Sequence, residues 1–151
     1  MFRFSIGLHM SKPYYGLLDH TADLGIWVEG RDLPDLFVNA ALALSELLVE
    51  CRSDDSCRCL DRHLSIEEAD LETLLVGWLR ELLYIWSIEG RYATCVSSID
   101  LTEFRLTATI ELGYYDVMRC ELLHDIKAVT YHQVEINRTE NGYRAQVIFD
   151  V

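Results

Sequence analysis

The residues of this 151-residue chain that are best suited to chemistry lie close together, in the segment Asp19-His20-Thr21-Ala22-Asp23. Two carboxylates, an imidazole and a hydroxyl are flanked there by two short apolar stretches. This order predicts a strand, a turn and a second strand, which would place the polar side chains at an exposed end of a sheet. Asp and Thr are also ordinary turn-forming residues, so the segment alone leaves a purely structural role open.

More oxygen donors stand at the end of the sequence, where Asp150 is followed by the carboxylate of Val151. Such oxygens suit Ca²⁺, Mg²⁺ or Mn²⁺ better than zinc. The candidate ligands of a divalent cation are therefore Asp19, Asp23, Asp150 and Val151. Lys127 precedes a predicted strand, and a solvated surface lysine is an equally good interpretation of it. No nucleophile elbow, no phosphate-binding glycine loop and no H-E-x-x-H motif is present, so no catalytic constellation can be assembled.

The charge balance limits the classes of partner. The chain has 25 acidic and 13 basic residues, a formal net charge of −12, and such a surface repels phosphate backbones. We therefore expect no direct binding to nucleic acid. A basic protein surface or a divalent cation is the better-matched partner.

The cysteines bear on the compartment and on zinc. There are five, with no C-x-x-C pair, and the odd number excludes an even disulfide framework, which favours a reducing, cytoplasmic environment. Cys57-Arg58-Cys59 with His63 leaves zinc as a weaker alternative, because a closed site needs four ligands. No apolar run is long enough to span a membrane, and we expect no membrane partner.

Two helices are expected to position the polar residues. Leucines and alanines at three- and four-residue spacing predict a helix over 33–49, with Asp32 as its N-cap. A second helix is predicted where apolar residues from Leu71 to Trp86 form an unusually wide face, which indicates a position at the centre of the core. It starts either from a Ser65-x-x-Glu68 capping box or from Asp70.

The predicted strands are interspersed with these helices, and they do not form a regular βαβ repeat. Asn141-Gly142 predicts a hairpin between the last two strands, and 113–124 is ambiguous between a short helix and irregular structure. The predicted strands are 14–18, 24–29, 57–66, 94–101, 104–112, 129–137 and 143–151. The predicted fold class is α+β, with a mixed, mostly antiparallel sheet and the two main helices packed on one face. We expect one domain over 13–151, preceded by a disordered extension or tag over 1–12.

Four segments, taken together, resemble the archease family and occur in that family's order. They are the opening segment from Tyr14 to Ile26, a central one from Leu71 to Tyr84, a later one from Ile126 to His132, and the closing one from Val147 to Val151. The resemblance extends over essentially the whole of 13–151.

The resemblance implies a non-catalytic accessory protein for RtcB-type RNA ligases. These ligases join RNA ends bearing a 3′-phosphate or 2′,3′-cyclic phosphate to a 5′-hydroxyl in tRNA splicing and RNA repair. Archease-like proteins promote guanylylation of the active-site histidine of the ligase and allow multiple turnover.

Several residue roles follow from the same resemblance. The family's metal-binding Asp falls on Asp23, and its C-terminal Asp falls on Asp150, with Val151 alongside. Its functional lysine falls on Lys127, and Asp19 and His20 take supporting roles. The family often has an Arg-His pair upstream of the lysine, whereas this chain has Arg119-Cys120, which leaves only the arginine for any role of that pair.

Two rival functions remain open. One is a chaperone or modulator of other RNA-processing enzymes, such as a tRNA methyltransferase, which has also been proposed for archease-like proteins. The other is a stand-alone metal-dependent phosphohydrolase built on His20, Asp23 and Asp150, which the missing nucleophile disfavours.

Overall fold

The computed structural model describes residues 2–4, 12–19, 23–52 and 59–151. Every strand pairing in these ranges is antiparallel. The helices are α1 (Leu33–Leu48) and α2 (Leu71–Glu89). The strands are β1 (Phe2–Phe4), β2 (Tyr15–Leu17), β3 (Leu24–Gly30), β4 (Val49–Cys51), β5 (Leu60–Glu67), β6 (Arg91–Thr102), β7 (Arg105–Tyr114), β8 (Cys120–Leu122), β9 (Ala128–Val129), β10 (Glu135–Thr139) and β11 (Gly142–Asp150).

The strands form two main sheets and a small ribbon. One sheet has the order β1-β6-β7-β5, the other has β10-β11-β3-β2 with β9 also paired to β11, and β4 pairs with β8. The predicted α+β class is confirmed. Helix α1 contacts strands of both sheets, and ten of its 16 residues are buried. Three of the ten are alanines, Ala40, Ala41 and Ala43, whose small side chains let the strands approach the helix closely.

Local signals explain where α1 begins. The Asp32 side chain accepts a hydrogen bond from the Asp35 N–H at 2.9 Å, which satisfies one of the free N–H groups of the first turn. Pro34 lies in that turn, where it has no hydrogen bond to break. The predicted cap is confirmed.

Of the two predicted starts of α2, the structure selects Asp70. Its carboxylate accepts the Thr73 N–H at 2.8 Å, and the Thr73 hydroxyl lies 3.3 Å from the Asp70 N–H. The hydrogen bond from the Thr73 N–H lowers the pKa of the Asp70 carboxyl, because it stabilises the ionised form. Ser65 lies within β5 instead, and Gly90 ends the helix with a φ of 66°.

The prediction of one strand over 129–137 is wrong, because a turn divides it into β9 and β10. Gln133 has a φ of 53°, and the Val134 N–H donates to the Tyr131 carbonyl at 3.3 Å. As a result β9 pairs with the last residues of β11, and β10 pairs with its first five. The predicted hairpin is confirmed, with Thr139 opposite Gly142.

The exclusion of an even disulfide framework leaves room for a single bridge, and the structure has one. Cys51 and Cys120 face each other in the β4–β8 ribbon and form a disulfide, with a Cα–Cα distance of 4.0 Å. An odd number of cysteines rules out pairing of all five, but it does not rule out one bridge. The ambiguous segment 113–124 holds the strand β8 and a turn that begins at Asp116.

Removing this bridge is expected to lower the free energy of unfolding by about 2–4 kcal/mol under non-reducing conditions. The reason is that the bridge joins cysteines 69 positions apart and so restricts the unfolded chain. Urea unfolding of the Cys51→Ala/Cys120→Ala variant and the unmodified protein, with and without a thiol reductant, measures the effect. The reductant should destabilise only the unmodified protein, and equal stabilities without reductant would contradict the bridge.

The structure describes part of the predicted N-terminal extension. Of the predicted extension 1–12, the structure describes Lys12 and strand β1, which pairs with β6, and the division at residue 12 stays a prediction. Neither helix of the described chain is long and apolar enough to cross a membrane.

Candidate functional site

The register of β3 and β11 brings the two principal candidate carboxylates to one end of their sheet. Leu24 lies opposite Phe149 in this antiparallel pair. Asp23 and Asp150 are the next residues outward, so they lie abreast at the end of the sheet. Residues opposite each other in an antiparallel pair point to the same face, and both are exposed.

The β9 segment lies on the other side of Asp150. Ala128 is opposite Asp150, and the Lys127 backbone N–H donates to the Asp150 carbonyl at 2.7 Å. The Lys127 side chain is exposed. We call Asp23, Lys127 and Asp150 the sheet tip, because they meet where three strands end or begin together.

The segment between β2 and β3 approaches the same end. The Leu18 N–H donates to the Gly25 carbonyl at 2.8 Å, and Asp19 follows Leu18 as an exposed residue. A Cβ on Gly25 would stand 2.9 Å from Ile148 Cδ1 and 3.0 Å from Leu18 Cδ1, so glycine lets these side chains close over the strand. Of the predicted supporting residues, His20 lies outside the described residues.

Arg80 of α2 holds the β9 segment, and the sequence analysis did not single it out. Its Nε donates to the Val129 carbonyl at 3.0 Å, and its Nη1 donates to the Tyr131 hydroxyl at 2.9 Å. The guanidinium also lies 4.2 Å from the centre of the Tyr131 ring. Its lone positive charge on a mostly apolar helix was the available signal.

The sheet tip supplies hard oxygen donors. Within 12–19, 23–52 and 59–151, no three His, Cys, Asp or Glu side chains form a group that could hold a metal. The Asp23 and Asp150 carboxylates nevertheless fit Ca²⁺, Mg²⁺ or Mn²⁺ by donor chemistry, and these ions commonly complete their shells with water or a partner's oxygens. The arrangement therefore suits an open cation site.

The other candidate residues lie elsewhere. Arg119 Nε lies 3.2 Å from the Asp116 carboxylate, while Cys120 is used in the disulfide. Of the zinc alternative, Cys57 and Arg58 lie outside the described residues. His63 is on β5 of the other sheet, with Nδ1 3.2 Å from the Thr109 hydroxyl.

The model of the Archease protein family matches residues 15–151. The protein archease of Methanosarcina barkeri is 34% identical over 143 residues, which cover 91% of this chain and 95% of that protein.

Two solved structures share the fold. The solution structure of protein 1598 of Methanobacterium thermoautotrophicum has a TM-score of 0.69 at 31% identity, covering 91% of this chain and 98% of that one. A crystal structure from Thermotoga maritima, described as an archease and possible chaperone, has a TM-score of 0.62 at 21% identity. It covers 95% of this chain and 98% of that one, and at this identity it supports the fold alone.

Proposed function

This chain belongs to the archease family, and we propose that it is a non-catalytic cytoplasmic accessory protein that activates an RtcB-type RNA ligase. It would promote guanylylation of the ligase and its multiple turnover in tRNA splicing and RNA repair. The chain itself forms no covalent bond with the RNA or the nucleotide in this proposal.

The sheet tip is the observation that carries the proposal. Asp23 and Asp150 stand abreast and exposed, and Lys127 is tied to Asp150 through its backbone. All three lie at or directly beside the end of a paired strand, so the tip can present two carboxylates and a cation to another protein at low entropic cost. These are also the positions that the family resemblance singles out.

The tip would bind a divalent cation through the Asp23 and Asp150 carboxylates. Such a cation, when bound, supplies positive charge that can neutralise nucleotide phosphates. Asp19 lies near enough in the chain to support the site, and Lys127 offers a further positive charge to the same phosphates.

Charge supports a protein partner rather than RNA. A chain with a net charge of −12 is repelled by a phosphate backbone but attracted to the basic surface of an RNA-binding enzyme. We therefore expect this protein to dock onto the ligase, and the ligase to bind the RNA.

The experiment adds the purified protein to the RNA ligase of its host, with GTP and with or without divalent cation. Covalently bound guanylate and the number of RNA joints made per ligase molecule are measured. We expect faster guanylylation and repeated ligation, and heat-denatured protein serves as the control. Unchanged guanylylation and turnover would overturn the proposal.

The second candidate is a chaperone or modulator of another RNA-processing enzyme, such as a tRNA methyltransferase. It is supported by the family to which the chain belongs, because such a role has also been proposed for archease-like proteins. Affinity purification from host cells separates the two, because a ligase partner supports activation and a methyltransferase partner supports modulation. Phosphoester hydrolysis by the purified protein with metal alone would instead indicate the phosphohydrolase.

A further inference from the structure

Four large apolar side chains in and around β8 are exposed to solvent. Val117 and Met118 are the most exposed large apolar residues in the described chain, at 74% and 76% of their full area. Leu122 and Leu123 are also exposed. We call these four residues, all between 117 and 123, the apolar shelf. Exposed apolar side chains grouped in this way commonly mark an interaction surface.

The shelf is held rigidly, so its exposure does not reflect a loose loop. The Met118 N–H donates to the Asp116 carboxylate at 2.9 Å, and Arg119 forms an ion pair with the same carboxylate at 3.2 Å. These two groups, the Met118 N–H first, lower the pKa of Asp116. Arg52 donates to the Met118 carbonyl at 2.8 Å, and the disulfide fastens β8 to β4.

The shelf is attached to the core at the C-terminal end of α1. Helix α1 contacts β3 and β11 of the sheet that carries the tip, and Leu48 at its end is followed directly by Val49 of β4.

The shelf is joined to this end of α1 by backbone hydrogen bonds. The Leu123 N–H donates to the Leu48 carbonyl and the His124 N–H to the Leu47 carbonyl, each at 3.0 Å. Lys127 of the sheet tip follows four residues after Leu123, a distance of at most about 14 Å for an extended chain. A partner that contacts the tip can therefore contact the shelf as well.

Acidic residues border the shelf. Glu50 and Glu121 are exposed and stand directly opposite each other in the β4–β8 ribbon, and Asp125 follows on the way to the tip. Like charges directly opposite each other in an antiparallel pair are destabilising. A basic surface against this ribbon would relieve that repulsion.

We propose that the apolar shelf is the surface through which this protein docks onto its ligase partner. The shelf would fit into an apolar recess of the ligase that has basic residues at its rim. The inference rests on the proposed function, and it adds where the partner binds. Two features favour the ligase as the partner that binds here. The shelf is close to the sheet tip along the chain, and acidic residues border it. A second copy of the chain would bring two surfaces of the same negative sign together.

The test is a Val117→Ser/Met118→Ser variant, with Phe104→Ser as the matched control. Phe104 is an exposed apolar residue at 43%, at the opposite end of β7 from the shelf. We expect the shelf variant to weaken ligase binding by about tenfold, as for central interface residues, and the control to bind normally. Circular dichroism checks that both variants are folded.

The dose response separates the outcomes. The shelf variant should reach the full guanylylation rate at a correspondingly higher concentration, because the sheet tip is intact. An unchanged concentration dependence, with the unmodified protein active, would overturn the docking surface alone. No stimulation by the unmodified protein would overturn the proposed function and the docking surface with it. Dimerisation of the unmodified protein that the shelf variant abolishes, measured by sedimentation, would assign the shelf to a second copy.

Discussion

The Asp150→Asn variant is expected to lose the whole of its stimulation of the ligase while remaining folded. Asparagine preserves the size of the side chain but removes the charge, which a divalent cation or a basic ligase group would need. Asp150 is exposed at the end of β11, so the free energy of unfolding should change by less than about 0.5 kcal/mol. Guanylylation and ligation turnover with saturating variant, beside urea unfolding, measure the two effects.

The same loss is expected for Asp23→Asn, because it stands beside Asp150 in the register. Asp61→Asn is the matched control, since it removes an exposed aspartate from β5 of the other sheet. The control should stimulate the ligase normally. Normal stimulation by both tip variants would show that the sheet tip has no part in activation, even if the unmodified protein is an activator.

The Trp78→Ala variant is expected to lose about 3–5 kcal/mol of stability, as truncations of large buried side chains do. Trp78 is completely buried in α2, and its indole N–H donates to the Phe37 carbonyl of α1 at 2.9 Å. The substitution therefore leaves a cavity and removes a hydrogen bond between the two helices. Urea unfolding followed by circular dichroism measures the loss.

Two further variants show how much of this loss comes from the hydrogen bond and whether it depends on burial. Trp78→Phe keeps most of the volume but removes the donor, so a smaller loss of about 1–2 kcal/mol is expected. Tyr84→Ala, on the exposed face of the same helix, should change stability by less than about 0.5 kcal/mol. A Trp78→Ala variant as stable as the Tyr84→Ala variant would contradict the central position of Trp78.

Both helices and the start of α1 were predictable because their signals are local, and the start of α2 was narrowed to two candidates. The Asp32 and Asp70 caps contact groups three residues away, and apolar spacing along α1 and α2 repeats within a few turns. The α+β class and the hairpin before β11 follow from similarly short-range patterns. The family resemblance added the candidate roles of Asp23, Lys127 and Asp150, which remain for the variants to test.

The errors have a common physical origin in contacts between distant segments. The break between β9 and β10 arises because both strands must pair with one strand, β11, at different places along it. The bridge between Cys51 and Cys120 depends on β4 meeting β8 at the end of α1. The bonds of Arg80 to the β9 segment likewise join elements far apart in the chain.

The sequence alone was therefore enough to predict the two helices, most of the strands, the Asp32 cap and the chemical character of the molecule, because propensity, spacing and charge act over a few residues or add up along the chain. The tertiary structure was needed to bring Asp23 and Asp150, near opposite ends of the chain, to one end of a sheet with Lys127 beside Asp150. That placement comes from strand register, and register is set by burial of whole strand faces against the helices. Hydrogen bonds from Leu123 and His124 to the end of α1 likewise hold the apolar shelf a few residues along the chain from Lys127.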